Sequence, residues 1–382
     1  MAFLVLVVFI TCALIVISII TITNVFTMLR LQPTDPSPEL LVSILIPARN
    51  EAAVIGDTIR YLLEQSYDNY EVVLLDDHST DGTSQIAERA ANGSTRLRVV
   101  NSEPLPAGWA GKNWACHQLS QNASGQLLIF TDADVQWTPD ALSAVVDLSK
   151  SVRADLLTVW PTQRTETWTE RLVVPLMAFV TLGYLPHVAV NRLRYPALAA
   201  ANGQCMVFRS EAYRQVGGHA AIRNAIVEDI CLARKIKAHG LRLRMADGRG
   251  LVACRMYSEW RHVRNGYAKN IIAGYGDSLL GLLAGTLFHW AVFLLPYLWM
   301  VYFAVTGNIT YLIWSLALVV MAILVRAITA ATTRQRPQDA LLLSISVILM
   351  TVIAAQATWW YLRYGGPRWK GRTIVRNPAT RL

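Results

Sequence analysis

The chain has 382 residues and a formal net charge of +9, and its composition is 53% hydrophobic but only 16% charged. That length holds one ordinary domain plus further elements, and the charged share lies well under the roughly 25% usual in soluble proteins. The basic excess sits in membrane-proximal segments and the tail, with no basic-aromatic stripe in the polar middle. This disfavours a nucleic-acid polymer as partner and favours anionic lipid head groups.

Ala2 to Leu29 carries no charge and has neither a basic leader nor a small-residue cleavage site, so residues 1–30 are expected to be a transmembrane anchor. Residues 38–270 have ordinary polarity and read as one domain. Leu279–Thr306, Ile309–Val325 and Ala340–Leu362 are three further candidate spans, forming a C-terminal block over 271–365 ahead of a basic tail, 366–382. Arg30 and the loop with Arg326, Arg334 and Arg336 place the polar domain in the cytoplasm under the positive-inside bias. The tail opposes this, because three spans would carry its basic residues to the far side. Either the last apolar segment is re-entrant or interfacial, or the tail breaks the rule. Cys12, Cys116, Cys205, Cys231 and Cys254 lack C-x-x-C spacing and read as free thiols in a reducing compartment, with no zinc site.

Within the domain, the β-branched run Leu41–Ile46 predicts a first strand, closed by Pro47 and followed by a loop to Glu51. A helix from about Ala52 carries Val54, Ile55, Ile59, Leu62 and Leu63 on one face. Tyr70–Leu75 is a second strand ending in Asp76-Asp77, and His78–Thr83 supplies capping residues for a helix over about 84–91. Leu97–Asn101 is a third strand. This strand-helix alternation predicts an α/β fold, with a mostly parallel, open, Rossmann-like sheet. An acid at the second strand end suits hydrogen bonds from a base or ribose. No G-x-G-x-x-G follows the first strand, and Gly108–Asn113 lacks phosphate-loop spacing. Two readings stand for Lys112 at the next helix start: a phosphate contact or a surface lysine.

Gln126–Ile129 leads into Phe130-Thr131-Asp132-Ala133-Asp134-Val135, a buried strand ending in two carboxylates one residue apart. Open α/β sheets place ligands at such ends, and two carboxylates turned together suit a divalent cation with a diphosphate. A solvated surface turn is the plain alternative. Thr138-Pro139-Asp140 is expected to cap the next helix. Trp168–Leu193 is apolar but interrupted, which fits either membrane-surface helices or a subdomain core. Gly217-Gly218-His219 reads as a flexible bend. Glu228-Asp229 open a helix, where acids gain from the dipole or, alternatively, one serves as general base. Arg261 and Arg264 suit a leaving diphosphate or lipid head groups.

SILIPARNE (Ser43–Glu51), LDDHSTDGT (Leu75–Thr83), TDADV (Thr131–Val135) and VEDICL (Val227–Leu232) together resemble an inverting family-2 glycosyltransferase of the GT-A fold, over about residues 40–270. The resemblance implies that Pro47, Ala48 and Glu51 line a uridine pocket and that Asp76 and Asp77 lie on the base or ribose side. It further implies that Asp132 stands near the ribose and diphosphate, with Asp134 as ligand of Mg²⁺ or Mn²⁺. Asp229 matches the catalytic base, with Glu228 shaping the site. The Q-x-x-R-W motif of processive members is missing, and Trp260, Arg261 and Arg264 stand roughly in its place. The anchor, the three C-terminal spans and Trp369–Arg372 look similar to membrane-bound bacterial glycosyltransferases of the hopanoid-associated and carotenoid type. That subgroup implies transfer of a single sugar from a donor such as UDP-glucose to a membrane lipid. A polyprenyl-phosphate transferase and a processive polysaccharide synthase are the alternatives within the fold.

Overall fold

The computed structural model describes residues 2–35, 39–366, 368–369 and 372–373, so most of the basic tail lies outside the described residues. The chain divides into two compact units. One comprises residues 28–164 and 187–256, and the other comprises 1–27, 165–186 and 257 onward.

The first unit is built on an eight-stranded sheet. Its strands are β1 (Leu29–Arg30), β2 (Val42–Ala48), β3 (Tyr70–Asp76), β4 (Leu97–Asn101), β5 (Leu127–Thr131), β7 (Leu156–Trp160), β9 (Cys205–Arg209) and β10 (Leu243–Asp247). The spatial order is β1-β10-β7-β9-β5-β2-β3-β4. All neighbours are parallel except β9, which runs antiparallel to both β5 and β7. A second, three-stranded sheet orders β6 (Val135–Trp137), β11 (Val252–Cys254) and β8 (Thr162–Gln163). The continuous apolar runs of β2, β3 and β5 are buried along nearly their whole length, as a sheet covered on both faces requires.

Two features of this topology position the site. The chain builds outward from β2 to β3 to β4, then returns to lay β5 on the other side of β2. The β2/β5 boundary is therefore the switch point, beyond whose strand ends open α/β sheets hold ligands. The antiparallel β9 pairs Cys205 with Thr131, so the loop entering β9 arrives at the edge that β5 leaves.

Several local expectations need correction. The expected anchor 1–30 ends as a helix at Thr27, and Leu29–Arg30 instead pairs with Ala246–Asp247 as an edge strand. The helix expected from Ala52 begins at Ile55, because Glu51 first closes a turn that takes the N–H groups of Val54 and Ile55. Asp140 makes no side-chain cap, and Gln65 Oε1 accepts the N–H of Leu142 instead, at 2.9 Å. The bend at Gly217–His219 is pinned, not flexible. A Cβ on Gly218 would fall 2.5 Å from the Tyr213 ring, and the Tyr213 hydroxyl pairs with His219 Nδ1 at 2.6 Å.

Among its described residues the second unit contains four stretches long and apolar enough to cross a membrane: Phe3–Thr27, Leu279–Thr306, Ile309–Thr332 and Pro337–Tyr364. The second is broken at Leu294, where Pro296 opens a new helix and cannot donate to the turn before it. The interrupted stretch 168–193 forms Trp168–Val173, Leu176–Tyr184 and His187–Arg192. The first two belong to this unit, and the third belongs to the sheet unit.

Candidate active site

The loop after β3 uses its acids on itself. Asp76 accepts from the N–H of Ser79 at 3.0 Å and from the Ser84 hydroxyl at 2.6 Å. Asp77 pairs with Arg49 at 3.1 Å, and its N–H donates to the carbonyl of Ala48, joining the β2 and β3 ends. Asp81 accepts from Thr83 and from the N–H of Ala52. Burial is the largest single influence and raises its carboxyl, but these donors together hold it below the usual range. Pro47 and Ala48 finish β2, and the N–H of Glu51 donates to Thr83 Oγ1 at 2.9 Å.

Beyond β5 the pattern reverses. Asp134 is half-buried, and burial, then the charges of Asp132 and Glu51, push its carboxyl up to about 7. Its protein donor is the thiol of Cys254, which in turn accepts from Gln204 Nε2 at 2.9 Å. Thr131 Oγ1 donates to the carbonyl of Gln204 at 2.9 Å, tying the β9 loop to the end of β5.

The helix Glu228–Ala238 brings the acidic pair to the same place. Asp229 Oδ2 accepts from the N–H of Gly203 at 3.0 Å, and Oδ1 accepts from the N–H of Ile230. A Cβ at Gly203 would lie 3.3 Å from Glu228 Oε1 and would make that carboxylate shift by a few tenths of an ångström. Burial, then the Glu228 charge, push Asp229 up to about 7. Lys112 joins the two acidic centres, its Nζ lying 2.7 Å from Asp132 Oδ1 and 2.7 Å from Glu228 Oε1. Burial opposes its charge, yet Asp132 and Glu228 hold it well above the usual lysine range.

Asn113, beside Lys112, is buried, and its amide reaches the carbonyls of Ile222, Arg223 and Ala225 at 2.9, 3.2 and 3.0 Å. It anchors the segment leading to Glu228. Asn113, Gly203, Gln204 and Cys254 were not singled out from the sequence, since their roles arise from contacts across 26 to 109 positions. The fold brings Asp132, Asp134, Lys112, Glu228 and Asp229 to one place, with the charge of Glu51 acting on Asp134. Arg261 and Arg264 belong to the other unit, on the helix Trp260–Gly274, where Arg264 Nε donates to Asn265.

The donor chemistry suits a hard divalent cation. Asp134 is desolvated and faces two further carboxylates, a cluster whose repulsion a cation relieves. Among the described residues no group of three His, Cys, Asp or Glu side chains converges as a ready-made metal site. A two-carboxylate set leaves positions for phosphate oxygens and water.

Residues 43–217 match the family described as glycosyl transferase family 2. That stretch of the chain is similar to family 2 glycosyltransferases. It is 28% identical over 242 residues to the 4,4'-diaponeurosporenoate glycosyltransferase of Staphylococcus aureus strain USA300, and the match covers 62% of each chain. The chain therefore spans a little under two thirds of that relative's length. A mannosyltransferase from Pyrobaculum calidifontis, solved with GDP-Man and Mn²⁺, superposes with a TM-score of 0.51 at 18% identity, covering 93% of this chain and 98% of that one. That likeness shows the GT-A fold.

Proposed function

We propose that this domain transfers a single sugar, with inversion, from a nucleotide-sugar donor such as UDP-glucose to a hydroxyl or carboxyl of a membrane lipid. The observation that carries the reading is the Lys112 bridge. One ammonium joins the carboxylate after β5 to the acidic pair that opens the Glu228 helix, so donor and acceptor chemistry share one sheet edge. Four apolar helices in the same chain tether the domain to a bilayer, which suits a lipid acceptor, and the catalytic domain faces the cytoplasm on the arginine distribution.

Asp134 and Asp132 are the residues that would hold Mg²⁺ or Mn²⁺, and the cation would supply positive charge for the departing diphosphate. Asp229 does the proton chemistry. Its carboxylate takes the acceptor O–H proton while the acceptor oxygen bonds to the anomeric carbon from the face opposite the diphosphate. The bond from that carbon to the diphosphate oxygen breaks with its electron pair, so configuration inverts in one displacement. The Gly203 N–H fixes Asp229 Oδ2, and Lys112 carries a fixed positive charge beside Asp132 for the phosphates. Pro47, Ala48, Glu51, Asp76 and Asp77 form the nucleoside side, where Arg49 and the serines keep the loop in shape.

The test supplies purified full-length protein with a UDP-sugar, Mn²⁺ or Mg²⁺, and a panel of polyprenoid, carotenoid, hopanoid and sphingoid lipids. Nucleotide release and product mass are read together. One sugar added to one lipid class supports the reading. A ladder of sugars, or turnover with a polyprenyl phosphate alone, overturns it.

A further inference from the structure

Arg326 lies within the membrane-spanning helix Ile309–Thr332 and is only 1% exposed. Its Nε and Nη1 have no hydrogen-bond partner among the described residues. The charge of Asp339 favours the ionised guanidinium but forms no salt bridge with it among the described residues, and leaving two of its nitrogens buried without an acceptor is costly, which in a membrane helix points to a binding function. A second group in the same unit is in the same condition. Thr21, on the helix Ala2–Thr27, is fully buried with its hydroxyl unpartnered.

The packing brings these two groups to similar depth. Helices Ala2–Thr27 and Ile309–Thr332 run side by side in the same direction, with the Phe3 ring 5.2 Å from Tyr311 and Trp314 Nε1 donating to Thr11 Oγ1 at 3.2 Å. Counting from that last contact, Thr21 lies about 15 Å farther along its helix and Arg326 about 18 Å along its own. Arg326 is also only about 9 Å short of the helix end at Thr332, the level where an apolar chain passes into its polar head. The first of these helices, Ala2–Thr27, also borders an apolar groove of about 370 Å³, lined by Phe9, Cys12, Val16, Ile20, Tyr184 and Phe288. Its lining glycine, Gly183, would with a Cβ lie 3.6 Å from Thr21 Oγ1.

We propose that Arg326 is the anion-binding residue of a lipid site within the membrane unit, which takes an oxyanion carried on a hydrocarbon chain. The ligand's carboxylate or phosphate pairs with the planar guanidinium fork, and the Thr21 hydroxyl lies at the same depth to donate a further hydrogen bond. The inference rests on the membrane unit alone and is independent of the sugar-transfer reading.

The test uses the full chain, purified and delipidated in an uncharged detergent. Thermal stability is followed with added oleate, dioleoyl phosphatidate, inorganic phosphate or dioleoyl phosphatidylcholine. A saturable rise with oleate or phosphatidate, and none with inorganic phosphate or phosphatidylcholine, is expected. Oleate alone acting identifies a carboxylate, phosphatidate alone a head-group phosphate. Arg326→Gln should weaken that binding about tenfold or more, while raising stability in the lipid-free state by removing a buried guanidinium with two unpartnered nitrogens. Arg326→Lys, which keeps the charge without the fork, should bind with intermediate strength and serves if the glutamine variant fails to accumulate. No response of the unaltered protein to either anionic lipid overturns the site. So does an unchanged response in the Arg326 variants.

Discussion

The two acidic stretches at the sheet edge are built from the same residue types and treated in opposite ways. After β3, Asp76, Asp77 and Asp81 are each met by donors within the domain. After β5 and at the Glu228 helix, Asp134 and Asp229 also find donors, but burial and neighbouring carboxylates outweigh them and push both up to about 7. A carboxylate satisfied by the fold shapes a loop. One that the fold desolvates and crowds is set up for a cation or a proton. Residue type alone does not separate these roles, and the partners do.

The largest effect is expected at Asp229. Asp229→Asn removes the proton acceptor and should lower transfer roughly a hundred- to ten-thousand-fold, with nucleotide affinity near that of the unaltered protein. Single-turnover rates beside nucleotide titrations check this, and a matched fall in affinity would erase the distinction between base and donor site. The pH profile sharpens it further. Asp229 is active when ionised and its carboxyl sits at about 7, so the rate should climb as pH rises through that value. Asp229→Glu should displace the climb, whereas Asp81→Asn should leave its midpoint in place.

The contrast was partly legible in the sequence. The D-x-D run and the acidic pair stand out as polar groups ending apolar runs, and strand periodicity located β2, β3, β4 and β5. The antiparallel β9 was not legible in its direction, because the four apolar residues Cys205–Phe208 look alike in either sense. Its direction is what delivers Gly203 to Asp229 and Gln204 to Cys254. Nor did the DDHSTDGT run reveal that its acids are occupied, because Ser84 and Arg49 read as ordinary polar residues until folding places them.

Smaller effects are expected where acids only shape the loop. Ser84→Ala leaves Asp76 without its 2.6 Å donor and should cost about 1–2 kcal/mol in denaturant unfolding, with the metal requirement unaltered. A changed metal requirement would move Asp76 into the reacting set. His219 offers a comparison on the stability side. Burial holds its imidazole neutral down to about 3, against an ordinary value of 6.5. The unfolded chain therefore takes up the proton first, so stability is full above about 6.5 and falls as pH drops from there toward 3. Thermal melts between those limits should show the fall, and His219→Gln should flatten it from a lower starting stability.

The most direct test of the division of roles is nucleotide binding by calorimetry, with and without Mn²⁺, on the unaltered protein, Asp134→Asn and Asp229→Asn. Binding should be tightened by Mn²⁺ in the unaltered protein and in Asp229→Asn, and the Mn²⁺ dependence should be lost in Asp134→Asn. Equal loss of donor binding in both variants, or a Mn²⁺ dependence that survives Asp134→Asn, would contradict it.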